Sequence, residues 1–206
     1  LSDNGASQEG GPLGFVNAMG PYNFRPEPIA EKLRRIDDIG GPDSHSNFPH
    51  GWAMASNTPL RRYKQNTHGG GIRDPFVMTW PKKIVAKGEV RHQFVHACDL
   101  TPTLLDLIGI APPAEIGGVA QMPLEGESFA RSITDPSAPS KSSPQYFEMF
   151  GHRGIWHDGW KAVSFHPSGT PFENDKWELF HLAKDFSETD DLAAQEPERL
   201  EAMIKL

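Results

Sequence analysis

"WELFHL" (177–182) reads as a β-strand, with aromatic and aliphatic residues at four of its six positions. Two runs of the same kind precede it, "QYFEMF" (145–150) and "GWKAVSFH" (159–166). Short connections holding Gly, Pro and Asp separate them, so the three runs predict an antiparallel sheet. Trp156, Trp160 and Trp177 are assigned to that sheet and its core, with an exposed one the alternative lining of a substrate cleft. Beyond it, Pro197 opens an amphipathic helix with Leu200, Met203 and Ile204 on one face, which predicts a helix packed on the sheet.

Upstream of the sheet the chain changes character. Residues 111–144 are rich in proline and small polar residues, which predicts a surface linker around one turn of helix near Ser128–Ile133. Before it, "DLTPTLLDLIGI" (99–110) is the clearest helix. Thr101 is a suitable N-cap, Pro102 suits the first helical position, Leu104, Leu105 and Ile108 form an apolar face, and Gly109 stops it. His96 and Asp99 are expected to lock its start. "DPFVMTWP" (74–81) reads as a buried strand bounded by prolines. A short helix is predicted over 27–36, and residues 1–26 are turn-rich. The expected organisation is therefore an α/β portion (1–110), a linker (111–144) and an antiparallel-sheet subdomain with a terminal helix (145–206).

Composition bounds the function. The 206 residues carry a net charge of −7, so no field for binding a polyanion is expected and nucleic acid is not an expected partner. No apolar run approaches the roughly 20 residues that a membrane span needs. Cys98 is the single cysteine, which excludes an internal disulfide and a Cys-based zinc cluster.

Two stretches could carry chemistry. In "LSDNGAS" (1–7), Asp3 and Asn4 offer a carboxylate and an amide oxygen, hard ligands suited to Ca²⁺ or Mg²⁺. The same Asp-Asn-Gly is also a favoured turn sequence, and two ligands are too few for Ca²⁺. In "NTPLRRYKQNTHGGGIRDP" (57–75), Arg61, Arg62, Lys64, His68 and Arg73 surround a glycine turn. Such a cluster suits an oxyanion, with Lys64 as point charge and His68 as donor, or it is a solvated basic loop. His92 and His96 lack the glutamate of a zinc-protease helix, and Cys98 has no partner pattern for a nucleophile.

Taken in order, "LSDNGAS", "HGWAMASNTPLRRYKQNTHGGGIRDPFVMTWP" (50–81), "VHACDLTPTLLDLIGI" (95–110) and "WELFHLAKDFSETDDLA" (177–193) resemble the type I sulfatases, within the alkaline-phosphatase-like superfamily. The resemblance runs over nearly the whole chain. It implies part of that superfamily's α/β sheet with helices, followed by a small antiparallel sheet. It implies that Asp3 and Asn4 close one side of a divalent-cation site, Ca²⁺ or Mg²⁺, and that Lys64 contacts the sulfate ester. His68 is carried over only as a residue of the site wall. Gly69 stands where the family usually has Glu.

The family's nucleophile is a formylglycine made from Cys or Ser in a Cys/Ser-x-Pro-x-Arg motif. Cys98 is followed by Asp-Leu-Thr-Pro, and no serine here fits. The resemblance therefore places the formylglycine and the other cation ligands upstream, in a missing N-terminal half of the same enzyme. The expected activity of the complete protein is hydrolysis of a small-molecule or glycan sulfate ester. Two rivals remain: a phosphodiesterase or phosphonate monoester hydrolase of the same superfamily, and an inert truncated module. A chain lacking its other half is also expected to expose apolar core surface.

Overall fold

The computed structural model describes residues 5–85 and 88–206. In chain order the main helices are α1 (Ile29–Arg34), α2 (His50–Ser56), α3 (Leu100–Ile108), α4 (Ala130–Thr134) and α5 (Pro197–Ile204). The main strands are β1 (Gln145–Met149), β2 (His152–His157), β3 (Trp160–Ser164) and β4 (Trp177–His181). They form one sheet in the order β1-β2-β3-β4.

The chain divides into two compact units. The first gathers the residues up to Phe76 with Tyr146–Trp156 and Trp160–Leu206; the second holds Val77–Gln145 and His157–Gly159.

In the first unit, the antiparallel register of β3 and β4 explains the packing. Ala162 stands opposite Leu179, Lys161 opposite Phe180, and Val163 opposite Glu178. Cross-strand partners share a face, and successive residues alternate between faces. One face therefore carries Trp160, Ala162, Trp177 and Leu179, which pack with Ile155, Met203 and Leu200 of α5 into the apolar core. The other face carries Lys161, Glu178 and Phe180. Leu179 is further tied down at its own backbone: its N–H donates to Asp191 Oδ1 at 2.9 Å and its C=O accepts from Leu192 at 2.8 Å. The predicted antiparallel sheet and its terminal helix are both present, and Trp156 is buried.

The second unit holds α3 and α4. The start of α3 is locked as the sequence predicts. Asp99 Oδ2 accepts from His96 N at 2.8 Å, and His96 Nδ1 accepts from Cys98 N at 3.3 Å. Gly109 ends the helix with φ 71°, a left-handed conformation that suits glycine. The cap lies two residues earlier than expected: Asp99, not Thr101, occupies the N-cap position, because a short 3₁₀ turn over Ala97–Asp99 leads straight into the helix. Leu104 and Ile108 stay exposed, so the apolar face of α3 is not covered by the described residues.

One expectation fails. "DPFVMTWP" forms no strand, and Val77 within it is 85% exposed. A strand needs a neighbour to take its backbone hydrogen bonds, and every described ladder lies elsewhere in the chain. Among the described residues, no helix is long and apolar enough to cross a membrane.

Candidate functional site

Lys64 sits in a loop, residues 61–70, closed at its neck by Gly70 N–H donating to Arg61 C=O at 2.7 Å. Only glycine fits at this neck: a Cβ on Gly70 would lie 2.1 Å from Arg62 O. Two side-chain-bearing residues, Arg62 (φ 63°) and Gln65 (φ 77°), take left-handed conformations to make the loop compact. Asn57 braces it from outside, its Nδ2 donating to Arg62 O at 3.0 Å and Gly70 O at 2.9 Å. One flank of the loop is fully buried, at Asn66, Thr67 and His68. Thr67 Oγ1 donates to Arg153 O of β2 at 3.0 Å. Lys64, by contrast, remains 33% exposed.

The segment that follows Asp3 and Asn4 lies along this loop. Gly5 (φ 73°) approaches it so closely that a Cβ there would stand 2.4 Å from Gly70 O. Ala6 N–H donates to Asn57 Oδ1, and Lys64 N–H donates to Ala6 O, both at 3.1 Å. Gln8 Nε2 donates to Gln65 Oε1 at 2.7 Å. Glu9 Oε1 accepts from Lys64 Nζ at 2.9 Å, while its other oxygen accepts from Ser7 Oγ. The Ser7 hydroxyl first, and Lys64 next, hold the Glu9 carboxyl below the usual range. Asp3 and Asn4 themselves lie outside the described residues. Among the described residues, no cluster of three or more His, Cys, Asp or Glu is placed to hold a metal.

His68 points inward. Its ring is 1% exposed, and Nε2 donates to Glu178 Oε2 at 2.9 Å. Glu178 Oε1 accepts from Arg61 Nη1 at 2.8 Å. These bonds, His68 first and then Arg61, push the Glu178 carboxyl down to about 2. Burial lowers the His68 pKa, against the pull of Glu178. Beside this pair lies a second one. Lys161 Nζ donates to Glu188 Oε1 at 2.6 Å, with both side chains sealed from water. Glu188 Oε2 accepts from Gly69 N at 2.9 Å.

The structure thus brings Lys64 and His68 into one loop, Lys64 on its open side and His68 on its buried side. The carboxylates that organise the loop, Glu9, Glu178 and Glu188, were not singled out from the sequence. Alternation along β4 marks Glu178 as facing away from Trp177 and Leu179. Glu188 lies in the motif-like run 177–193, but nothing local to it points to the Lys64 loop, and no local pattern marks Glu9.

The second unit offers less. Burial raises the Cys98 thiol pKa, which keeps it protonated. A cavity of about 350 Å³ is lined by Gln93, Phe129, Arg131, Ser140 and Lys141. Lys141 is already committed to Asp99 at 3.3 Å and Gln145 at 3.2 Å.

Two family descriptions match the chain: "Sulfatase" over residues 1–110 and "N-sulphoglucosamine sulphohydrolase, C-terminal" over 63–205. An uncharacterised sulfatase of Schizosaccharomyces pombe is 27% identical over 207 residues, covering all of this chain and 36% of its own length. The N-acetylgalactosamine-6-sulfatase of Canis lupus familiaris is 32% identical, covering 73% of this chain and 32% of its own. The crystal structure of Ps i-CgsB in complex with k-i-k-neocarrahexaose superposes with a TM-score of 0.54 at 27% identity, covering 76% of this chain and 33% of that one. A glycosaminoglycan-metabolism protein of Bacteroides thetaiotaomicron shares the fold, with a TM-score of 0.56 at 18% identity over 86% of this chain and 41% of its own. The chain spans about a third of the length of these curated relatives. Two family matches that overlap in the Lys64 loop and together span the chain identify it as a member of the sulfatase family.

Proposed function

We propose that the complete polypeptide hydrolyses sulfate esters and that Lys64 is the group in this chain that holds the sulfate. The observation that carries this reading is the state of Lys64. It stands one-third exposed on the open side of a braced loop, and a carboxylate, Glu9, already pairs with its ammonium. A position that accepts an internal carboxylate oxygen suits the oxygen of a sulfate. Lys64 would stabilise charge that grows on the sulfate oxygens as the ester bond breaks, the kind of fixed charge that contributes most in such reactions.

Asp3 and Asn4 are proposed to close one side of a Ca²⁺ or Mg²⁺ site. A carboxylate with an amide oxygen is a donor set that fits a hard cation, and Gly5, next in the chain, lies against the Lys64 loop. When bound, the ion supplies further positive charge to the sulfate oxygens. The remaining ligands and the formylglycine are proposed to lie outside this chain. The exposed apolar face of α3 supports further polypeptide packing there.

The test compares turnover of an aryl sulfate and an aryl phosphodiester by the complete polypeptide, with and without Lys64→Ala. Preference for the sulfate and a loss of about 100-fold or more in Lys64→Ala are expected. Preference for the diester overturns the sulfate reading, and unchanged turnover in Lys64→Ala overturns the role of Lys64. The 206-residue chain alone is expected to show no turnover with Ca²⁺ and an aryl sulfate.

A further inference from the structure

Glu188 grips both feet of the Lys64 loop. Its Oε2 accepts from Gly69 N at 2.9 Å and its backbone C=O accepts from Arg61 Nη1 at 3.0 Å. Its Oε1 is anchored on β3 through Lys161 at 2.6 Å. Arg61 and Gly69 flank Lys64 on either side, and the neck bond from Gly70 to Arg61 lies between them.

This arrangement is costly. Glu188 is 1% exposed, and a buried ion pair must offset the loss of water around both charges. Its backbone also sits at φ 58°, a left-handed conformation that residues with a side chain rarely adopt. The sheet does not need it: the apolar core of Ala162, Leu179 and Met203 lies on the opposite face. What Glu188 holds is the loop. We propose that Glu188 is a positioning residue for Lys64, its carboxylate fixing the Gly69 end of the loop and so the place of the Lys64 ammonium. Lys161 is the counter-ion that allows the carboxylate to be buried there. This inference rests on the sulfate-ester reading of Lys64.

The geometry also shows how the carboxylate could be moved. A Cβ on Gly69 would stand 3.6 Å from Glu188 Cδ and Oε1, with Leu60 Cδ2, the end of a flexible side chain, at 3.3 Å. Gly69 is not in a left-handed conformation, so a side chain is tolerated. A glutamate grown from position 69 can therefore bring a carboxylate to Lys161 once Glu188 is shortened.

The experiment uses the complete polypeptide and an aryl sulfate, reading kcat, KM and melting temperature. The variants are Lys64→Ala; the pair Glu188→Met with Lys161→Met, which removes both charges at similar volume; all three changes together; and Gly69→Glu with Glu188→Ala. The methionine pair is expected to fold and to lose about tenfold or more in kcat/KM. In the Lys64→Ala background the same pair should change kcat/KM less than about twofold, because the two sites act through one group. A folded methionine pair with parental kcat/KM, or an equal loss in the Lys64→Ala background, overturns the inference. If the methionine pair fails to fold, Gly69→Glu with Glu188→Ala decides. Activity within about threefold of the parent supports the inference, and a folded protein with about a tenth or less overturns it. Parental activity in Lys64→Ala would instead sink the reading of Lys64 itself, and the inference with it.

Discussion

Lys64 Nζ and Glu9 Oε1 meet at 2.9 Å, and each side chain is about one-third exposed, 33% and 31%. In this pair a carboxylate of the protein occupies the cation that is proposed to hold a sulfate. A pair this exposed contributes at most about 1 kcal/mol to stability. Glu9→Gln is therefore expected to leave melting almost unchanged and to lower KM for an aryl sulfate a few-fold at low ionic strength. The difference should shrink in salt, where exposed charges are screened. KM measured in both salts checks this; equal KM values in parent and variant would show that Glu9 does not compete.

Acid should lower stability through His68 and Glu178. The folded pKa of each is lowered, His68 from 6.5 by burial and Glu178 from 4.5 to about 2 by His68 and Arg61. A group with a depressed folded pKa stabilises the fold above its unfolded pKa and loses that contribution as pH falls. Stability should thus begin to fall below pH 6.5 and fall further between pH 4.5 and 2. Urea midpoints across this range test it. Glu178→Gln should remove the lower part of the decline; an unchanged profile in that variant would assign the acid sensitivity elsewhere.

Asp99 is predicted to be the most sensitive position of the second unit. It is buried and accepts from His96 N, Glu127 N and Lys141 Nζ, at 2.8, 2.9 and 3.3 Å. Asp99→Ala removes the acceptor of all three bonds and leaves Lys141, itself 5% exposed, without its carboxylate. A loss of about 3–5 kcal/mol is expected by chemical denaturation, as for other broken buried pairs. A loss under about 1 kcal/mol would mean that water reaches the site.

Leu179→Ala should cost about 2–5 kcal/mol, because Leu179 is completely buried between the sheet and α5. Denaturant midpoints provide the check. Unlike Glu188, Leu179 lies on the core face of β4, so its loss should lower stability with no selective fall in kcat.

The sequence made the C-terminal sheet legible because each strand pairs with the next strand in the chain. "WELFHL" pairs with the preceding run, and both lie in this chain. "DPFVMTWP" has the same strand-like composition and forms none, because composition says nothing about which neighbour will accept the backbone. The Lys64 loop was legible through its cations and glycines. His68 was harder: the residue type suits a donor, but only the fold shows Glu178 opposite it. Glu9 and Glu188 were not legible, since each joins the loop from 55 and 119 residues away in sequence.

Those long separations bear on the order in which the molecule is made. Arg61, His68 and Gly69 bond to Glu178 and Glu188, across 110 to 127 residues. On the ribosome, the loop emerges long before the segments that hold it, and contacts this distant in sequence form late. Lys64 would therefore gain its fixed position only once Glu178 and Glu188 have emerged. A chain stopped before Trp177 should carry every residue of the loop yet leave it open to protease between Arg61 and Arg73, while a chain that includes Glu178 and Glu188 resists cleavage there. The lysine proposed to hold a sulfate would thus be fixed only after the sheet that supports it is complete.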